Sequence, residues 1–153
     1  WGDPVTEPPD VLTVPSLLEF AGIAPFAMPC YPIAQHLAEK VHAYTRPHIS
    51  GESSRVKDLV DILLLARTES LDAEVVYRAL QATFRERQTH PMPSALPDPP
   101  ASWALPFSRL AGEVGPLSGD LAEGMTLARR LLDPVLQGRA RGPWDPESGH
   151  WTR

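Results

Sequence analysis

The chain has 153 residues, about the size of one domain, and 42% of them are hydrophobic, a share typical of a globular protein. Its net charge of −5 argues against a general nucleic-acid coat protein, which is normally basic overall. No run of about 18 apolar residues is present, so no membrane partner is expected. The single cysteine, Cys30, excludes an intramolecular disulfide and a zinc site built from cysteines.

The 18 prolines divide the chain into segments, because proline and the residue before it avoid helix. Residues 1–31 are predicted to be a Pro-rich connector with at most one or two short edge strands near residues 26–31. Residues 32–88 form the core helical motif, 89–102 a second Pro-rich linker, and 103–153 the closing helices and tail. The chain opens on Trp1 without an initiating Met, and we interpret this start as a truncation.

Hydrophobic spacing predicts that the fold is mostly α. The first strong helix follows Pro32, and its apolar positions recur every three or four residues: Ile33, Leu37, Val41 and Tyr44. A second helix, capped by Ser53 or Ser54, is apolar over more than half its circumference and is expected in the middle of a bundle. A third runs from the cap at residues 70–72 to about Arg87.

Two more helices are predicted in the closing segment. The first covers residues 103–114, and the last begins at Leu117 or Ser118. The tail is expected to pack back on the bundle through Trp144 or Trp151.

Three charged residues could carry chemistry, since the first two helices are joined by a short loop and should lie antiparallel. Asp58 and Asp61 are one turn apart, and Lys40 would face them from the first helix. An ammonium can bind a polyphosphate, and a carboxylate can help to hold Mg²⁺ or orient a hydroxyl. From spacing alone, a structural ion pair between helices is the commoner arrangement.

Other polar residues give weaker signals. His36, His42 and His48 have no helical metal-ligand spacing, so no metal site is predicted within this chain. Cys30 is expected to be a small buried hydrophobe. A basic cluster, Arg129, Arg130, Arg139 and Arg141, is interpreted first as a solvated helix end, with an RNA-phosphate contact as the alternative.

The strings "LAEKVHAYTRP" and, after a short polar loop, "SRVKDLVDILLLA" resemble the C-terminal half of the AbiEii/AbiGii family of type IV toxin nucleotidyltransferases. The stretches "PDPPASW", "RLAGEVG" and "LLDPVLQG" resemble the closing helices of that family. The resemblance implies the helical C-terminal bundle of an α+β nucleotidyltransferase-like protein, with residues 1–31 including the remnant edge of an absent N-terminal nucleotidyltransferase domain.

The resemblance also implies the roles of individual residues. Lys40 would bind nucleotide phosphates, Asp58 would be the second catalytic residue, and Asp61 and Arg55 would support them, whereas the role of His42 is open. Mg²⁺ and NTP are the implied cofactors, and the implied partners are an antitoxin and a tRNA or other RNA acceptor in the cytoplasm. Transfer to a protein hydroxyl is a close alternative.

The chain departs from the family pattern in one respect. No Gly-Ser loop followed by an Asp-x-Asp pair is found in its sequence, although two-metal phosphoryl transfer needs a cluster of carboxylates. We therefore predict that this chain alone is inactive. A non-catalytic helical binding module, or a degenerate remnant with a structural Lys40–Asp58 pair, is the alternative.

Overall fold

Five α-helices and two small antiparallel ladders account for the regular structure in the described part of the chain. A computed structural model describes residues 5, 7–14, 21–22, 24–47, 52–115 and 117–152, without the side chains of residues 52–54. The strands are β1 (Asp10–Val14), β2 (Phe26–Cys30), β3 (Trp144–Asp145) and β4 (His150–Trp151). The helices are α1 (Ile33–Thr45), α2 (Glu52–Thr68), α3 (Ala73–Arg87), α4 (Ala104–Glu113) and α5 (Leu121–Leu136). The predicted mostly α fold class is confirmed.

Helix α2 lies in the middle of the bundle, as its apolar circumference predicted. It packs against α1 on one side and against α4 and α5 on another, while α3 packs on α1 and α5. Because it has neighbours on both sides, most of its apolar side chains are almost fully buried: Val56, Leu59, Val60, Ile62, Leu63, Leu65 and Ala66. Burial of this kind supplies most of the stability of a helical bundle.

The first helix follows the predicted stripe, with Leu37, Val41 and Tyr44 buried in the core. A polar contact lies among them, since the Gln35 amide donates to Thr83 Oγ1 of α3 over 3.0 Å. This buried bond satisfies the Gln35 NH₂ group and ties α1 to α3, whereas the buried Gln35 Oε1 has no partner among the described residues.

The predicted edge strand near residues 26–31 is present as β2. It pairs antiparallel with β1, with Asp10 opposite Cys30 and Val14 opposite Phe26. The opening segment thus contributes a strand where the prolines predicted a connector. The hairpin is largely exposed, with Val11 at 70%. Cys30 is half-buried, so the expectation that it is a buried core residue is wrong.

The 89–102 segment and the tail are held on the bundle by specific hydrogen bonds. Tyr44 Oη donates to the Pro97 carbonyl over 2.8 Å, which fixes the 89–102 segment. In the tail, Trp144 is fully buried and its Nε1 donates to the Ala66 carbonyl over 2.7 Å. The indole of Trp151 donates to the Leu131 carbonyl over 2.9 Å. Both tryptophans therefore pack back, as expected for the tail.

Some predicted boundaries differ from the structure. Helix α5 begins at Leu121 and not at Leu117 or Ser118, because the Asp120 side chain accepts from the N–H groups of Ala122 and Glu123 and caps it there. Helix α2 begins at Glu52, and the predicted Ser53 or Ser54 side-chain cap lies outside what the structure describes.

Candidate functional site

Lys40 lies between the two carboxylates of α2. Its Nζ is 2.7 Å from Asp61 Oδ2 and 3.3 Å from Asp58 Oδ1. The antiparallel packing of α1 on α2 brings Lys40 level with both acids, and the i, i+3 spacing points both acids toward it. The structure therefore brings together the three residues that the sequence predicted to be close.

The exposure of the three side chains increases from one side of the site to the other. The Asp58 side chain is 14% exposed, Lys40 is 26% exposed and Asp61 is 38% exposed. Asp58 is thus the acid held more deeply in the bundle, and Asp61 faces solvent. A ligand would approach from the Asp61 side.

The charge of Lys40 is stabilised in the fold. Burial alone would lower the pKa of Lys40, but the hydrogen bond to Asp61 and the charges of both carboxylates outweigh burial and raise this pKa. Lys40 is therefore a cation at neutral pH, as a phosphate-binding lysine must be.

The charged form of Asp58, in contrast to that of Lys40, is disfavoured in the fold. Burial raises the pKa of Asp58 and Asp61 adds to the effect, whereas Lys40 and Arg55 act against it without cancelling it. The difference from Lys40 fits the geometry, since Lys40 lies closer to Asp61 than to Asp58. The ionised form of Asp58 is therefore incompletely compensated, and a further cation or hydrogen-bond donor would stabilise it.

Arg55 lies one turn before Asp58 on α2. Its charge acts on the pKa of both Asp58 and His90. Its Nη1 nitrogen is buried and has no hydrogen-bond partner in the described part of the chain. Arg55 therefore adds positive potential beside the acids, and its charge favours the ionised form of Asp58.

Two further residues of this region were missed by sequence reasoning. Burial lowers the pKa of His90, and the charges of Arg46 and Arg55 lower it further, so these residues lie within electrostatic reach of each other. His90 is fixed by contacts of its Nε2 with Thr45 Oγ1 and of its Nδ1 with Thr89 Oγ1, both 2.9 Å long. No periodicity links residues 46 and 90, so the sequence held no signal for this proximity.

His42 belongs to the core. It is 3% exposed, its ring lies edge-on to Phe84 with centroids 4.9 Å apart, and its Nε2 is 2.9 Å from Thr89 Oγ1. These contacts assign it a packing role. Among the residues that the structure describes, no group of three His, Cys, Asp or Glu side chains could hold a metal ion. His48 lies outside those residues.

The arrangement places a charged lysine and a second cation, Arg55, beside an undercompensated carboxylate. Two carboxylates that both contact a lysine are too few for a complete divalent-metal site, since such ions take about six oxygen ligands. The fold and the site thus define a helical module with a lysine–carboxylate centre.

Comparison with protein families agrees with this class. The family model described as "Nucleotidyl transferase AbiEii toxin, Type IV TA system" matches residues 1–138, most of the chain. The chain therefore belongs to the AbiEii nucleotidyl transferase toxin family of type IV toxin–antitoxin systems. Comparison with curated proteins and with solved structures found no match. No described helix is long and apolar enough to cross a membrane.

Proposed function

We propose that this chain is the helical part of a cytoplasmic toxin that transfers a nucleoside monophosphate from NTP to a tRNA or other RNA acceptor. A hydroxyl oxygen of the acceptor would bond to the α-phosphorus of the nucleotide, pyrophosphate would leave, and the hydroxyl proton would pass to a base or to water. The family membership supports the reaction class, and an antitoxin partner follows from the same membership.

The observation that carries the proposal is the unequal sharing of Lys40 between its two acids. A buried carboxylate needs compensation more than an exposed one, because burial disfavours its charged form. Here Lys40 is closer to the exposed Asp61 and leaves Asp58 undercompensated. We assign Lys40 to the nucleotide phosphates and Asp58 to the reacting end of the site, with Asp61 and Arg55 holding Lys40 and Asp58 in place.

Mg²⁺ is expected to neutralise the phosphates when it is bound. Its carboxylate ligands would have to come mainly from another polypeptide segment, because the site in this chain offers only two acids and both contact Lys40. For this reason we expect residues 1–153 alone to be inactive.

The test is incubation of the protein with labelled NTP, Mg²⁺ and total tRNA, both as residues 1–153 and in a form that includes the upstream reading frame. Lys40→Ala and Asp58→Asn are compared with Lys57→Ala, which removes an exposed lysine from α2, the helix that carries Asp58. We expect the longer form to transfer label, both site variants to lose transfer, and Lys57→Ala to keep it.

Three outcomes would contradict parts of the proposal. Transfer that survives both site variants would show that Lys40 and Asp58 form a structural pair. An inactive longer form would favour a binding module or a degenerate remnant, and activity of residues 1–153 alone would refute the predicted inactivity.

A further inference from the structure

A basic groove lies at the end of α5, away from the residues assigned to transfer. It has a volume of about 380 Å³, and its lining includes three arginines and two residues of β4: Arg130, Arg139, Arg141, His150 and Trp151. The chain leaves α5, turns at Gly138 and Gly142, which have φ of 65° and 67°, and returns through β3 and β4. This reversal places the arginines of α5 and of the turn beside β4.

The three arginines of the groove are not neutralised by acids. None of them lies within ion-pair distance of a carboxylate in the parts of the chain that the structure describes. Other arginines do have such partners, as Arg129 Nη2 lies 2.6 Å from Asp98 Oδ1, and Arg78 Nη2 lies 2.6 Å from Glu7 Oε1. The groove is therefore a concentrated positive region on a chain whose net charge is −5.

Neutral acceptors hold two of these arginines in place. Arg141 Nη1 donates to the carbonyls of Gly138 and Ala140 over 2.9 and 2.6 Å, and Arg139 Nη2 donates to Gln137 Oε1. Such bonds orient a guanidinium group and leave its charge in place. A site that is ordered before binding loses less entropy when a ligand arrives.

The helix dipole does not account for the cluster. Its effect falls off within the last turn of a helix, whereas Arg139 and Arg141 lie beyond the end of α5 and Arg130 lies more than one turn before it. An acid is present at the rim, because Asp145 lies opposite His150 in the β3–β4 ladder and senses its charge. The argument therefore depends on the arginines and not on His150.

We infer that this groove binds phosphates of an RNA backbone. Guanidinium groups grip phosphate oxygens in a forked geometry, and the half-buried ring of Trp151 offers a surface on which a base can stack. Recognition of RNA as the acceptor rests on the proposed function. The groove itself does not come from the family match, which ends at residue 138, before five of the seven residues that line the groove.

The test is fluorescence anisotropy of a labelled RNA hairpin with a single-stranded 3′ end, titrated with residues 1–153 in the absence of NTP. The groove variant is Arg139→Gln with Arg141→Gln. The control is Arg85→Gln with Arg109→Gln, which also removes two exposed arginines, one from α3 and one from α4. We expect the groove variant to bind roughly tenfold more weakly and to flatten the plot of log affinity against log salt by about 1.4, as for two lost contacts. The control should change affinity less than twofold.

Equal weakening by the groove variant and the control would overturn the inference, because it would show a general charge effect. Absence of RNA binding, or binding of inorganic polyphosphate without RNA, would also overturn it. Circular dichroism of each variant verifies that the fold is kept. The binding assay contains no NTP, so weaker RNA binding by the groove variant would not test the transfer reaction. If RNA binding is kept but the transfer assay shows no activity, only the proposed function is contradicted.

Discussion

Replacing Asp58 by asparagine is expected to leave the fold as stable as before, or to stabilise it by up to about 1 kcal/mol at neutral pH. The burial that raises the pKa of Asp58 makes its ionised form unfavourable in the folded state. Asparagine keeps an oxygen that can accept from Lys40, and Lys40 keeps its shorter contact, 2.7 Å, with Asp61. Lys40→Met should be different, because it leaves two carboxylates one turn apart without their cation.

The expected cost of Lys40→Met is about 2 kcal/mol. Removing one partner of a buried pair costs about 3–5 kcal/mol, and an exposed pair contributes about 0–1 kcal/mol. Lys40 and Asp58 lie between these limits, since their side chains are 26% and 14% exposed. In a chain of this size, such a loss lowers the melting temperature by roughly 4–8 °C.

The two residues should also differ in their pH dependence. A raised pKa means that Asp58 binds its proton more tightly in the folded state than in the unfolded state. The contribution of Asp58 to the free energy of unfolding therefore falls as pH rises from the ordinary pKa of 3.8 through the raised folded value. Asp58→Asn should remove this decline. The contribution of Lys40 is fully present below 10.5 and is lost as pH rises through its raised folded value.

Urea unfolding followed by circular dichroism measures these effects: at neutral pH for the two substitutions, across the acid range for Asp58 and above pH 10 for Lys40. Lys57→Met is the control for Lys40→Met, because Lys57 is exposed on α2, the helix that carries Asp58 and Asp61, and its loss should change stability little. If Asp58→Asn destabilises the fold as much as Lys40→Met does, the reasoning is refuted. Asp58 would then be a structural partner of Lys40.

Three further substitutions test the packing around the site. Tyr44→Phe removes the bond to Pro97 and should cost about 1 kcal/mol at neutral pH. Burial raises the pKa of Tyr44 to about 12, so the wild type should lose stability between pH 10 and 12 in urea unfolding, and the variant should lose less. Asp72→Ala removes the N-cap of α3 and should lower the unfolding free energy by about 1 kcal/mol. An unfolding free energy equal to that of the wild type would show that Asp72 does not stabilise the helix as a cap. Trp144→Phe leaves a cavity and an unpaired Ala66 carbonyl, so calorimetry should show a loss of about 2–3 kcal/mol.

Local patterns were sufficient to predict the centre of the site. The stripe of α1, the absence of proline from α1 and α2 and the spacing of Asp58 and Asp61 together define which faces meet. The proximity of Arg46 and His90 could not be predicted, because it depends on how the 89–102 segment returns over the bundle. That path is fixed by distant hydrogen bonds, such as Leu96 N donating to Asp133 Oδ1 over 2.9 Å.

The start of α5 shows a different limit to prediction from sequence. Ser118 and Asp120 are both good N-cap residues, so residue preference alone does not choose between them. The structure uses Asp120 as the cap, while Ser118 Oγ accepts from the Asp120 N–H over 3.2 Å. Two overlapping caps can be resolved only by the packing of the helix that follows, and that packing is a property of the whole fold.

The end of the family match and the end of the core do not coincide. The match ends at residue 138, yet Trp144 is fully buried and its backbone N–H donates to the Leu71 carbonyl over 2.7 Å. The Ala73 N–H donates in turn to the Gly142 carbonyl over 3.1 Å. The tail is thus tied to the residues between α2 and α3, and α2 carries Asp58 and Asp61. An RNA held in the proposed groove would therefore be held at a fixed place relative to the residues proposed for transfer, as an acceptor must be for its hydroxyl to reach the nucleotide.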